Sequence, residues 1–321
     1  MSTSPVSLNL IGALCAMAAA VLFSINDMAI KFLSDGYALH QVVLIRSVVG
    51  MAVWLILVMP FSGGLSVVKT KRLGMHILRG MCVVVANLCF FLGLAAMPLA
   101  DAVAIFFVSP LLITVFSVVF LKEKVGPFRW GAIVVGFVGV LVMVKPGTGS
   151  FQIAALLPII AATGYATLHI LTRKIGGTES AATMLFYIQV TFIVASGLIG
   201  LALGGGQFSG NAHPSLEFLT RAWVFPETAD WGILIAIGVG GAGGGYLISQ
   251  AYRLSEAAFA APFEYLAMPL AILFGVLVFD EWPELNAWFG IALIIGSGLV
   301  LLWRESVKKR PLTETAPRLR R

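Results

Sequence analysis

At 321 residues, 59% of them hydrophobic and only 11% charged, this chain carries more apolar surface than a water-soluble domain can bury. Its formal net charge of +6 is gathered in connections and a terminal tail, a placement that argues against nucleic acid as a partner. What remains is a polytopic all-α integral membrane protein, because a hydrocarbon core about 30 Å thick takes about 20 helical residues to cross.

The apolar runs predict ten transmembrane helices, over about 8–33, 39–60, 73–97, 99–121, 127–145, 153–172, 182–203, 231–253, 257–279 and 285–303. The connections are short, so consecutive helices should be antiparallel neighbours. The first span has no basic segment before it and reads as a retained helix rather than a cleaved signal peptide. In it, Asp27 and Lys31 stand four apart on one face, where they are expected to pair, with Ser24 and Asn26 completing a polar wall. Arg46 lies deep enough in the second span to need a carboxylate or carbonyls. Arg79 opens the third span at a depth from which it is expected to snorkel, in a structural role. Asn87, one or two turns deeper, must find hydrogen bonds from a neighbouring helix or a solute. Cys15, Cys82 and Cys89 all fall inside spans and read as small packing residues.

Asp101 opens the fourth span, where it complements the helix dipole. Phe106 and Phe107 follow, just before Ser109-Pro110. His169 in the sixth span is either a titrating group or, more commonly for such a residue, a core hydrogen-bond donor. Residues 204–230 form a long connection that is either a short interfacial helix around Leu216, Leu219, Trp223 and Phe225 or a disordered segment begun by three glycines. Gly238-Val239-Gly240-Gly241-Ala242-Gly243 matches a dinucleotide-binding pattern, yet it lies within an apolar span and so reads as a close-packing helix face. In the ninth span Glu264 sits between Pro262 and Pro269, beside Phe263 and Tyr265. A buried carboxylate next to helix-breaking prolines is the strongest site candidate. No phosphate-binding loop occurs, and the four histidines have no ligand-spaced partners, so neither a metal nor a cofactor is expected. Ser297 reads as a helix-packing residue.

Basic residues alternate between connections. Lys69, Lys71, Arg72, Lys122, Lys124, Arg129, Arg173, Lys174 and Arg253 share one side with the tail residues Arg304, Lys308, Lys309, Arg310, Arg318, Arg320 and Arg321. The other side holds only Lys145 and Arg221, together with Asp35, Glu217, Glu227, Asp230, Asp280, Glu281 and Glu284. Both termini are therefore expected in the cytoplasm.

The segment from Ser109 (SPLLITVFSVVFLKEKVGPFRWGAIVVGFVGVLVM) resembles that from Met268 (MPLAILFGVLVFDEWPELNAWFGIALIIGSGLVLL). Pro110 matches Pro269, Glu123 and Trp130 match Glu281 and Trp288, and Gly131 and Gly139 match Gly290 and Gly298. The chain is thus read as two five-span repeats, 8–149 and 150–304, followed by a basic tail, 305–321. Five is odd, and the Glu123 and Glu281 loops carry opposite charge character, so the repeats should be inverted, a construction usual in secondary transporters.

The residues that carry a resemblance are Arg46, Arg79-Gly80, PLADAVAIFFVSPL from Pro98, the Glu123–Trp130 segment and the GVLVMVKPG run (Gly139–Gly147, two residues before Gly149) in the first half, and APFEYLAMPLA from Ala261 and FDEWPE from Phe279 in the second. In this order they resemble the EamA-like branch of the drug/metabolite transporter superfamily, over about residues 10–304. The resemblance implies ten helices, an inverted five-plus-five repeat and carriage of small organic solutes across the cytoplasmic membrane. Candidate residues for binding or coupling are Glu264, Asp27, Lys31, Arg46, Asn87, Phe106, Phe107, Tyr265 and His169. The expected partners are a small-molecule solute and the lipid bilayer, and the chain allows for a homodimer. An aromatic, amide-bearing lining suits a flat heterocycle. Among carriers it resembles, riboflavin ranks first, ahead of S-adenosylmethionine and of amino-acid or drug export. An intramembrane lipid-modifying enzyme is the alternative from another class, and it lacks the acidic, His or Cys cluster such chemistry would need.

Overall fold

The computed structural model describes residues 5–122, 125–145, 153–255 and 261–308. Glu123, Lys124, residues 146–152, the start of the ninth predicted span and most of the basic tail lie outside them. Every regular element among the described residues is helical. The helices are α1 (Pro5–Leu33), α2 (Leu39–Val53), α3 (Leu73–Leu94), α4 (Leu99–Phe106), α5 (Ser109–Leu121), α6 (Pro127–Val144), α7 (Leu156–Ile175), α8 (Ala181–Leu203), α9 (Pro214–Thr220), α10 (Trp231–Leu254), α11 (Ala267–Phe279) and α12 (Leu285–Lys308). Eight helical stretches are long and apolar enough to cross a membrane: Leu10–Leu33, Leu39–Val58, Leu73–Leu94, Leu99–Leu121, Pro127–Val144, Ile153–Ile175, Ala181–Leu203 and Trp231–Leu254. Phe263–Phe279 and Leu285–Val300 are shorter apolar helices. The chain is a multi-pass membrane protein.

Two stretches expected to be continuous helices are interrupted. The fourth predicted span divides at Phe107 and Val108 into α4 and α5. Proline has no N–H to donate and its ring crowds the carbonyl four residues back, which for Pro110 belongs to Phe106, the last residue of α4. Pro269 has the same effect in the ninth span, where a tighter 3₁₀ segment, Ala261–Leu266, precedes α11. The matching helices α5 and α11 also stop alike. Lys122 and Asp280 both take left-handed backbone conformations, with φ of 56° and 54°.

Helix contacts come in matched pairs. α1 packs on α10 as α3 packs on α7, and α2 on α10 as α3 on α8. α5 meets α7 as α1 meets the 3₁₀ segment and α11, while α2 with α8 and α6 with α12 close the set. Exchanging the first five segments for the last five leaves this list unchanged. The glycines of the eighth span serve packing. A Cβ at Gly244 would lie 2.7 Å from the Phe23 ring of α1, and one at Gly238 would lie 2.5 Å from Val49. Ser297 donates to the Ile294 carbonyl at 2.8 Å within its own helix.

The connection 204–230 contains α9, and Leu216 and Leu219 lie in it. Trp223 and Phe225 fall after its end. Phe218 is buried, and Trp223 Nε1 donates to His40 Nδ1 at 2.5 Å. Arg221 donates to the Ser34 carbonyl at 2.7 Å, and Tyr37 donates to Asp230 at 2.5 Å. The Glu217 carboxylate accepts the Asn211 and Gly210 N–H groups, which hold it below the usual carboxylate range. The segment is a strap tied across the junction of α1 and α2.

Gly139 of α6 and Gly290 of α12 bring two backbones together, since a Cβ on either would lie 2.9 Å from the other's carbonyl oxygen. A Cβ at Gly131 meets nothing within 4 Å. Gly139→Ala should therefore destabilise by about 1–3 kcal/mol, read as a lower thermal midpoint in detergent, while Gly131→Ala leaves the midpoint unchanged or slightly raised.

Candidate functional site

The six helices α1, α2, α3, α7, α8 and α10, with α4 and the 3₁₀ segment, surround one central cavity whose space and mouth together amount to about 1270 Å³. Its walls are mainly apolar and carry seven Phe or Tyr rings. Phe90 packs on Phe106 with ring centroids 4.9 Å apart, and Phe106 meets Tyr165 edge-on at 5.2 Å. Phe23, Phe91, Phe107 and Phe192 add further rings.

Into this apolar shell project a few polar groups. Arg46 is buried, and its Nη2 donates to Asn87 Oδ1 at 3.1 Å. The guanidinium lies over Phe192 and Phe91, 4.9 and 5.6 Å from the ring centroids, where the negative faces of the rings attract it. Asp27 also faces the cavity. Its carboxylate makes no hydrogen bond or ion pair among the described residues, and Arg46 is the cation that acts on it. Beside them Asn26 donates to the Ile237 carbonyl at 3.1 Å, while its Oδ1 has no partner.

Glu264 accepts two phenol hydroxyls, from Tyr165 at 2.5 Å and from Tyr252. His169 lies between the same tyrosines, stacked on Tyr252 at 3.9 Å and edge-on to Tyr165 at 4.1 Å. Both its ring nitrogens are buried without partners among the described residues, so none of these accepts the hydrogen bond that a core donor would make. The 3₁₀ segment explains why Glu264 can enter the cavity, because the break before Pro269 redirects the chain at mid-bundle.

Seven of the expected residues thus share one cavity: Asp27, Arg46, Asn87, Phe106, Phe107, His169 and Glu264. Lys31 and Tyr265 do not line it. Tyr265 packs on Phe107 at 5.1 Å and against Gly298. The expected Asp27–Lys31 pair is not formed. Lys31 reaches past the end of α1 to Glu281, at 2.7 Å, and donates to the Met97 carbonyl at 2.7 Å. Glu281 simultaneously accepts the Leu99 N–H at 2.9 Å, satisfying one of the free N–H groups at the start of α4. A partner with both charge and a helix end to serve outcompetes a neighbour one turn away. Asp101 sits in the first turn of α4 as expected, with Oδ1 buried and unpartnered. Arg79 does not snorkel. It is 1% exposed and lines the cavity, donating Nε to Thr172 Oγ1 at 2.9 Å.

Sequence reasoning also missed Tyr165, Tyr252, Thr172 and Gln189. Helical spacing was an available signal for two of them, since Tyr165 and Thr172 lie four before and three after His169 on one face of α7.

The EamA-like transporter family matches residues 10–145 and again residues 152–303. The chain belongs to that family. It is 28% identical over 304 residues to a riboflavin transporter of Vibrio cholerae, covering 93% of this chain and 95% of that one. A riboflavin transporter of Brucella anthropi is 30% identical over 258 residues, 80% of this chain and 86% of the relative. An S-adenosylmethionine uptake transporter of Rickettsia prowazekii is 28% identical over 285 residues, 89% of this chain and 90% of the relative. A crystal structure of a protein 19% identical superposes with a TM-score of 0.65 over 94% of this chain and 99% of the other, so the two share a fold.

The Lys31–Glu281 contact joins α1 to the turn between α11 and α12, with side-chain exposures of 11% and 26%. Lys31→Ala and Glu281→Ala should each destabilise more than half as much as the double variant. A double-mutant cycle on unfolding should return a coupling of about 0.5–3 kcal/mol, and additivity would contradict the pair.

Proposed function

We propose that this EamA-like protein is a secondary transporter that carries a small flat heterocyclic metabolite across the cytoplasmic membrane, with riboflavin the first choice. The observation that carries the reading is the aromatic cavity between the two matched sets of five segments, holding Asp27, Arg46, Asn87 and Glu264 where hydrocarbon would otherwise exclude them. Rings in its wall can stack on a flat solute, and the buried amides and carboxylates fix its polar edge. The whole-length similarity to riboflavin transporters supports the same choice. S-adenosylmethionine is the second reading. It is favoured by the unpartnered Asp27 carboxylate beside aromatic faces, a suitable environment for a sulfonium cation.

In this reading the five-segment sets are inverted repeats, 8–149 and 150–304, making ten spans with both termini cytoplasmic. Supporting it are the charge alternation of the connections, the paired helix contacts and the matching breaks before Pro110 and Pro269. Alternating access is the exchange of conformations between the two sets. The contact of Lys31 with Glu281, Met97 and the start of α4 closes the external end. Glu264 binds or couples, and the chain performs no covalent chemistry.

Topology is tested by reporter fusions. Those after Lys71, Lys174 and Arg310 should report cytoplasm, and those at Gln207 and Asn286 the external face. Lys71 and Asn286 on one side would end the inverted reading.

Function is tested by uptake of labelled riboflavin into proteoliposomes. Saturable uptake, competed by unlabelled riboflavin, is expected from the parent protein. Glu264→Ala should lower the rate at least tenfold while the protein still reaches the membrane. Glu264→Gln keeps the shape and hydrogen-bonding capacity, so it should retain binding and flatten any pH dependence of transport. Parental rates and pH profile in both variants would remove Glu264 from the mechanism.

A further inference from the structure

Of the four charged side chains that line the cavity, two have no opposite charge among the described residues, Glu264 and Arg79, and of these only Arg79 is left with an unpartnered polar atom. Asp27 and Arg46 act on each other, and Glu264 is held by Tyr165 and Tyr252. Arg79 meets no carboxylate. Among the described residues it forms no ion pair, and no Asp or Glu lies near enough to act on it. Its one protein partner is the hydroxyl of Thr172, which is itself committed to the Leu168 carbonyl at 2.8 Å. Nη1 is buried with no hydrogen-bond partner among the described residues.

His169 stands one turn from Thr172 on the same face of α7, 2% exposed, with both ring nitrogens equally unpartnered. Both side chains line the central cavity. An uncompensated guanidinium in a low-dielectric site is strongly unfavourable, whereas its planar fork matches the two oxygens of a carboxylate or phosphate.

We infer that Arg79, with His169 beside it, is the docking site for an anionic group, a carboxylate or phosphate, borne by the solute. The inference rests on the transport reading of the same cavity. It departs from neutral riboflavin within that reading and narrows the substrate class to an aromatic body with an acidic substituent: the rings of Phe90 and Phe106 take the body and Arg79 takes the charge.

The test uses matched probes on the full chain in lipid nanodiscs. Benzoate and benzamide share shape and ring and differ in charge, and phenyl phosphate separates phosphate from carboxylate recognition. Benzoate or phenyl phosphate should raise the thermal midpoint in a concentration-dependent manner, with benzamide giving less than half the shift. Arg79→Gln should abolish the advantage of the anion, and Arg79→Lys, which keeps charge but not the fork, should retain part of it. Equal shifts from the anions and benzamide in the parent protein would overturn the inference, as would an advantage that survives Arg79→Gln.

Should Arg79→Gln not fold, peptide-resolved modification of the unaltered protein by phenylglyoxal decides. Benzoate or phenyl phosphate must protect Arg79 where benzamide does not, and equal protection overturns the site. Riboflavin and riboflavin 5′-phosphate repeat the comparison on a heterocycle. Binding of neither, with the anion preference intact, would retire the heterocycle reading and leave the anion site standing.

Discussion

A charge inside a bilayer must find a partner or water, and the arrangement of this chain follows from that constraint. Asp27, Arg46, Arg79 and Glu264 come from four different segments, the last of them broken before Pro269, yet all four turn toward one cavity. The large apolar side chains left exposed, such as Ile56, Leu141, Leu201 and Leu277, take the lipid-facing positions. Small residues then allow the helices that carry the charges to approach closely, as Gly244 does for Phe23. Polar groups collect at the seam because it is the one place within the hydrocarbon depth where they can be solvated by protein or solute.

The contacts around the cavity differ in kind from those at the Lys31 end of the bundle. Around the cavity they are dispersed over several groups: an amide on Arg46, ring faces, two phenols on a carboxylate. A solute can substitute for any of them. At the Lys31 end the contacts are directional and concentrated, with one ammonium serving a carboxylate and a carbonyl, and that carboxylate serving a helix terminus. Partial exposure limits what such a pair contributes, so it can hold a conformation and still be broken by the differential affinity of a bound solute.

Much of this was legible in the sequence, because lipid imposes long apolar runs and punishes stray charge. Eight of the expected spans, the matched prolines and the positions of Asp27, Arg46, Asn87 and Glu264 could be read from hydropathy and repeat alone. Partnerships could not. Asp27 and Lys31 satisfy the helical spacing rule, yet Lys31 is drawn to Glu281, 250 residues away, a contact only tertiary packing creates. Arg79 looked shallow enough to snorkel because depth along a helix is readable while the direction it faces depends on α7. Tyr165 and Tyr252 carry no intrinsic signal of function, since a tyrosine in an apolar span is ordinarily packing until a carboxylate lies opposite it.

The central claim is that one cavity is reached alternately from the two faces of the membrane. Ile188 lines it without making a polar contact, so Ile188→Cys in a background free of Cys15, Cys82 and Cys89 places a single reporter thiol there. In oriented vesicles, a membrane-impermeant thiol reagent should label this position from either side. Labelling from the face opposite the basic tail should be slower in the parent and accelerated by Glu281→Ala, which opens that end. Labelling confined to one face, unchanged by Glu281→Ala and by saturating solute, would contradict alternating access and with it the transport mechanism.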